Sequence, residues 1–171
     1  MAGSSETRPQ DGDRFGQLIR LLDGHGARYR LLEHPAEGRT EIVSRYRGNP
    51  LAQAAKCVVL RVKLDRKTSW FVLAVVPGDT RVDFDAIKQL KQATYVGFAD
   101  PDTAERLGGS VSGTILPFSF DPALELIVDH GVFEHQEIFF NAALLDRSVA
   151  MRSDDYAAIA APRRAAIAKR E

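Results

Sequence analysis

Apolar positions along this chain change their period several times, and each change marks an element. Phe15, Leu18, Ile19 and Leu22 recur at i, i+3, i+4 and i+7, which predicts a helix that Gly24 and Gly26 stop. The short run YRLLE predicts a strand. Thr40 stands where a cap would open a helix through EIVSRYR; Gly48 and Pro50 end it, and PLAQAA adds one helical turn. Over 56–64 the period becomes two. Lys56, Val58, Leu60, Val62 and Leu64 then share one face of a strand, in phase with a core, while Cys57, Val59, Arg61 and Lys63 take the other. WFVLAVVP is apolar on both faces, as a central strand covered on two sides would be.

After the PGD turn, Asp83 opens an amphipathic helix on Phe84, Ile87 and Leu90, and TYVGFA returns as a strand. Asp100 and Pro101 form a cap and first-turn pair for PDTAERL, which Gly108 closes. From Gly109 onward the pattern is one of strands, SVSGTILPF, LELIVD, EIFFNA and SVAMR, until Ser153 caps a helix on DDYAAIA that Pro162 ends. RRAAIAKRE reads as a basic tail that could be helical. Helices and strands that alternate only in part predict an α+β domain around one curved, mixed sheet. The expected organisation is a disordered leader over 1–13, a single domain over 14–162 and a basic tail over 163–171.

A length of 171 residues suits one domain with a real core. The hydrophobic fraction of 44% and charged fraction of 27% are those of an ordinary globular protein, with no apolar run near the ~18 residues of a membrane span. MAGSSETRPQDGD lacks the basic flank and apolar centre of a secretory signal, so a cytoplasmic location is the default expectation. Net charge is zero but unevenly spread. Residues 1–70 carry 13 Lys/Arg against 8 Asp/Glu, and residues 71–171 carry 10 against 15. Such a polarised chain could steer a phosphate backbone to one side, unless the asymmetry averages out in space.

The inventory of absent chemistry is long. The four histidines, His25, His34, His130 and His135, show no metal-binding spacing, and one cysteine supplies neither a disulfide nor a thiolate zinc set, so no metal or cofactor is expected. There is no phosphate-binding glycine loop, and GSVSG has Val111 where a nucleophile elbow needs serine. Cys57, on the strand face opposite Lys56, reads as a small buried hydrophobe.

Three features remain. Lys56 is either a lysine snorkelling to solvent along its own stem or an ammonium at the mouth of a pocket, able to hold a phosphate or polarise an ester carbonyl. GTILP interrupts its strand with Gly113, which permits close backbone approach, and Pro117, which removes a ladder donor. That break is either an edge bulge or a set of free backbone N–H groups facing a ligand. In FFNAALLDRS, Asp146 and Ser148 fit hydrogen bonding at the end of a core, whereas Asn141, directly after IFF, is harder to explain that way.

These stretches together resemble the YbaK/EbsC family of aminoacyl-tRNA deacylases, related to the editing domain of bacterial prolyl-tRNA synthetase. The resemblance runs over roughly 15–162. It begins at LLEHP, continues through Thr40 and Glu41, and reaches QAAKCVVLRV, where Lys56 takes the place of the family's lysine. GTILPF matches the G-x-x-x-P loop at Gly113 and Pro117, and EIFFNAALLDRSVAM matches the C-terminal sheet segment with Asn141. Two positions depart from the pattern: Ala143 stands where many relatives have glycine, and the loop continues FSF where others place glycine after Pro-Phe.

The resemblance implies a barrel-like sheet and hydrolysis of the ester joining a wrong amino acid to the terminal ribose of tRNA, without metal, cofactor or covalent intermediate. Lys56 and the backbone at Gly113 would carry catalysis by positioning, with Thr40, Ser112, Thr114, Pro117 and Asn141 around the substrate. RGNPLAQAAK, SGTILPFSF and FFNAALLDRS look most like subgroups acting on Ser- or Thr-charged tRNA, with an Ala-specific editor as the alternative. The implied partner is aminoacyl-tRNA at its acceptor end, with a synthetase as a further candidate. A non-catalytic module binding nucleic acid or a small ligand on the same fold is the competing reading, and the positive half and PRRAAIAKR are its support.

Overall fold

In the computed structural model, which describes residues 11–170, the five residues Val72 to Val76 are all fully buried, yet they do not share one core. Leu73 and Val75 pack into a larger cluster with Val59, Leu18, Phe118 and Phe140; Val72, Ala74 and Val76 pack into a smaller one with Leu60, Val62, Ile87 and Ile167. Period-two alternation in a strand covered on both faces produces this split.

The helices are α1 (Asp11–Gly24), α2 (Thr40–Arg47), α3 (Phe84–Lys91), α4 (Pro101–Gly108) and α5 (Ser153–Ala160). The strands are β1 (Tyr29–Glu33), β2 (Ala55–Lys63), β3 (Ser69–Pro77), β4 (Thr80–Val82), β5 (Tyr95–Phe98), β6 (Leu124–Asp129), β7 (Glu137–Leu144), β8 (Arg147–Arg152), β9 (Arg163–Ala165) and β10 (Ala168–Arg170). A five-stranded mixed sheet has the order β5-β2-β3-β6-β9, antiparallel across β5-β2-β3 and parallel across β3-β6-β9. A three-stranded antiparallel sheet, β1-β8-β7, contributes Ile138, Phe140, Val149 and Met151 to the larger core, together with Leu18 and Leu22 of α1. Beneath the other face lie α3 and the two-stranded ribbon β10-β4. A single parallel bridge, Ala54 to Phe139, connects the layers, and the sheets do not close into a barrel.

The α+β class and the central place of β2 and β3 agree with the patterning. Asp83 and Asp100 cap α3 and α4, accepting from the N–H of Ala86 and Thr103. Several local expectations need correction. Thr40 is the first helical residue of α2 rather than its cap, which is Arg39, and Ser153 likewise begins α5 while its hydroxyl donates to the His135 carbonyl. SVSGTILPF forms no strand; it is an irregular loop. The C-terminal residues are not a helix. They pair as β9 and β10, and Asp129 is the reason: one carboxylate oxygen accepts from the N–H of Ile167 at 2.8 Å and Ala168 at 2.9 Å, and the other from Gly131 at 2.8 Å. Ile167, fully buried, is thereby set in the smaller core. The expected leader lies outside the described residues except for its last three, which begin α1.

The sole tryptophan, Trp70, lies near the start of β3, 41% exposed. Its indole N–H donates to Glu125 and the Lys91 ammonium stands 5.6 Å over its ring. Among the described residues, no helix is long and apolar enough to cross a membrane.

Candidate functional site

Two glycines bring two loops into contact. Gly113 has φ of +90°, and a Cβ there would stand 2.8 Å from Gly38 Cα and 3.0 Å from the Gly38 carbonyl oxygen. At Gly38 a Cβ would be only moderately tight, 3.3 Å from Gly113 Cα. The loop before α2 and the loop after α4 therefore meet backbone to backbone, an approach that side chains would block.

Each loop is tied down separately. Before α2, the N–H groups of His34 and Glu37 donate to Asp146 and Leu145 in the β7–β8 turn, and the Asn141 amide donates to the Glu37 carbonyl at 2.8 Å. Glu37 accepts from the Arg39 guanidinium and N–H, and these bonds hold its carboxyl at about 2, well below the ordinary range. After α4, the Ser112 hydroxyl and N–H donate to Glu105, Thr114 donates to the Val111 carbonyl, and the buried Tyr156 hydroxyl donates to the Pro117 carbonyl at 2.6 Å.

Between the loops and the start of β2 lies a cleft of about 240 Å³, lined by Gly38, Thr40, Arg47, Lys56, Gly113 and Asn141, among others. Among the described residues, no carboxylate lines it. The structure thus brings Lys56, Gly113, Thr40 and Asn141 together. Ser112, Thr114 and Pro117 are not in the lining: the first is tied to α4, and the other two are buried in the loop they shape. Asn141 has both ends of its amide engaged within the wall, its oxygen accepting from Arg47 and Ser148. Lys56, half-buried, has no ion-pair partner among the described residues.

Arg47 is the residue that sequence reasoning missed. Its guanidinium donates to Asn49, Asn141, Ser148 and Ser44, all neutral groups. Burial without a carboxylate lowers it to about 10, so it remains a cation at neutral pH. A signal was available, since Arg47 falls at helical spacing from the buried Val43 and Ser44, a cation in phase with the inner face of α2. Gly38 was missed as well, with no pattern around it to mark it.

The β2 edge completes the cleft. Strand β5 ends at Phe98, opposite Leu60, so Ala55 to Val58 have no strand partner on that side among the described residues. The carbonyls of Val59 and Lys63 accept from Ala99 and Thr94 there, and alternation directs the N–H and C=O of Cys57 to the same open side. Burial pushes the Cys57 thiol well up, which leaves it protonated and no nucleophile at neutral pH. Two cations and exposed backbone groups, without a carboxylate, form a site suited to orienting an anionic or carbonyl-bearing ligand.

Comparison with known proteins places the chain in a family. The chain is 40% identical over 147 residues, 85% of its length and 87% of the relative's, to the multifunctional Ser/Thr-tRNA deacylase ProXp-y of Escherichia coli (strain K12), and equally to that of Escherichia coli O157:H7. Among solved structures, hypothetical protein APE2540 superposes with a TM-score of 0.80 at 16% identity, covering 90% of this chain and 99% of that one. A candidate trans-editing enzyme for prolyl-tRNA synthetase superposes with a TM-score of 0.76 at 17% identity, covering 96% and 99%. At such identities these two speak for the fold alone. The aminoacyl-tRNA editing domain model matches residues 34–159, a span that holds every residue of the cleft described above, and the chain belongs to that family.

Proposed function

We propose that this protein is a trans-editing deacylase that hydrolyses the ester between a mischarged amino acid and the terminal ribose of tRNA, with Ser- and Thr-charged tRNA as the first candidates and Ala-charged tRNA as the next. The observation that carries the reading is the cleft itself: Lys56 and Arg47 face a small space walled by the Gly38–Gly113 backbone contact, and the one thiol lining it, Cys57, is kept protonated by burial. Family membership and the activity named for the Escherichia coli relatives support the same reading.

The chemistry follows from the donor set. Water adds to the ester carbonyl, the ribose oxygen leaves with a proton, and free amino acid and uncharged tRNA result. Lys56 positions the substrate by its charge, and backbone N–H groups at the Gly113 loop hold the aminoacyl group. An aminoacyl ester is already activated, so orientation and carbonyl stabilisation suffice; a single oxyanion donor contributes about 3 to 4 kcal/mol in well-studied enzymes. Asn141 and Arg47 act as positioning residues through the loop they hold. Thr40 is the lining hydroxyl best placed to sense a hydroxylated side chain. A synthetase that supplies tRNA selectivity would be a partner.

The test is a panel of tRNAs charged with labelled Ser, Thr or Ala, incubated with wild type and Lys56→Ala. Release by wild type from at least one tRNA, with a loss of 100-fold or more in kcat/KM for the variant, on the order of a lost charged contact in the transition state, is the expected result. If wild type releases no amino acid while binding nucleic acid, the non-catalytic module is correct instead.

A further inference from the structure

A second, larger groove opens where the cleft ends. Its volume is about 560 Å³ against about 240 Å³ for the cleft, and Lys56 and Val58 belong to both walls. The unpaired start of β2 is the rim between them. The remaining walls come from β4, β5, α3 and β10: Arg81, Phe84, Asp85, Phe98 and Lys169.

Three features of this groove point to one kind of ligand. Phe98 is 68% exposed, the most exposed of the large apolar side chains described, and is braced edge-on by Phe84 with ring centroids 5.1 Å apart. An exposed ring held by a second ring is a stacking platform. Next, Arg81 and Lys169 stand directly opposite each other across the β4–β10 ribbon, and neither has an ion-pair partner among the described residues. Like charges in register repel, a cost that a bound anion removes. The groove thus holds Lys56, Arg81 and Lys169 against the single carboxylate of Asp85. Third, β10 lies beyond residue 159, where the family match ends, so Lys169 is supplied by a segment outside the matched domain.

We infer that this groove binds the single-stranded 3′-terminal nucleotides of tRNA, a base stacking on Phe98 and phosphates lying between Arg81 and Lys169. The inference rests on the deacylase reading, which places the aminoacyl ester in the cleft. The nucleotide bearing that ester must then lie immediately beside the cleft, and the groove sharing Lys56 and Val58 is the adjoining space. Stacking and phosphate contact are both indifferent to base identity, which suits the one sequence that all tRNAs share at this end.

The experiment measures binding separately from hydrolysis. The probe is a fluorescein-labelled single-stranded RNA ending in CCA, followed by anisotropy at several salt concentrations. Phe98→Ala is expected to weaken binding roughly 10-fold, the scale of one base–aromatic stack, and Phe98→Trp to restore it. Arg81→Gln with Lys169→Gln is expected to flatten the salt slope by about 0.7 for each phosphate contact removed. All three sites are on the surface or partly so, and thermal melts confirm that the variants fold. Wild-type binding unchanged in these variants, or no wild-type binding at all, overturns the inference. Deacylation by wild type together with unaltered probe binding in the variants sinks the groove and spares the enzyme. Groove-dependent binding without release of any amino acid sinks the enzyme and spares the groove.

Discussion

Gly113 and Gly38 face each other and are unequal in what they tolerate. Alanine at 113 would combine a φ of +90° with a 2.8 Å approach to Gly38 Cα, whereas alanine at 38 meets only 3.3 Å contacts. Gly113→Ala should therefore lower kcat/KM for deacylation by roughly 100-fold through displacement of the loop, and Gly38→Ala by clearly less, a comparison made by kinetics on the same charged tRNA. Glu37 gives a pH dependence. Its carboxyl titrates at about 2 in the folded protein against an ordinary 4.5, because the side chain and N–H of Arg39 hold the charged form. The unfolded chain binds the proton more tightly, so the contribution is complete above about pH 4.5 and disappears as pH falls toward about 2. Denaturant midpoints measured down this range should fall less steeply for Glu37→Gln. Ala143 shows how a departure from the family pattern became intelligible: it sits in the bulge of β7 with φ of +66°, where glycine carries no steric cost. Lys56 and Gly113 were legible because a charge in phase with apolar neighbours and a glycine before a proline each break a local rule. Thr114 misled for the opposite reason, since a hydroxyl that caps its own turn reads the same in sequence as one that meets a ligand.

Elements with a strong period were recoverable, and short ones held by distant residues were not. β2, β3, β6, β7 and β8 follow from alternation or continuous apolar runs, and α3 and α4 from their aspartate caps. β4, β9 and β10 are three residues each and owe their conformation to Asp129 and to pairing across the chain. Nothing in RRAAIAKRE announces that Ile167 is fully buried while its neighbours are exposed or half-exposed. Ile167→Ala should destabilise the protein by about 2 to 5 kcal/mol, read by urea denaturation, and a free tail would show no change. The stretch over 110–118 reads as a strand because its apolar residues do go inward; Leu116 and Phe118 are buried, but Pro117 and Gly113 leave no ladder for them.

For the molecule as a whole, the charge asymmetry of the sequence does not map onto one face: the cleft and groove draw Arg47 and Lys56 from the basic half but Arg81 and Lys169 from the acidic one, with Asp85 as the one acid lining them among the described residues. Under the deacylase reading, kcat/KM should fall as salt rises while single-turnover rates at saturating tRNA hold steady, since screening acts on encounter and binding. Steady-state and rapid-quench kinetics across a salt series separate the two. Trp70 adds a practical consequence. It pairs with Val62, six residues along β2 from Lys56 and roughly 20 Å away at strand spacing. As the single indole of the chain, it reports global unfolding from a place no ligand in the cleft touches. Its emission can then be followed during denaturation with and without RNA, and the displacement of the midpoint yields an affinity by linkage, with no label on either molecule.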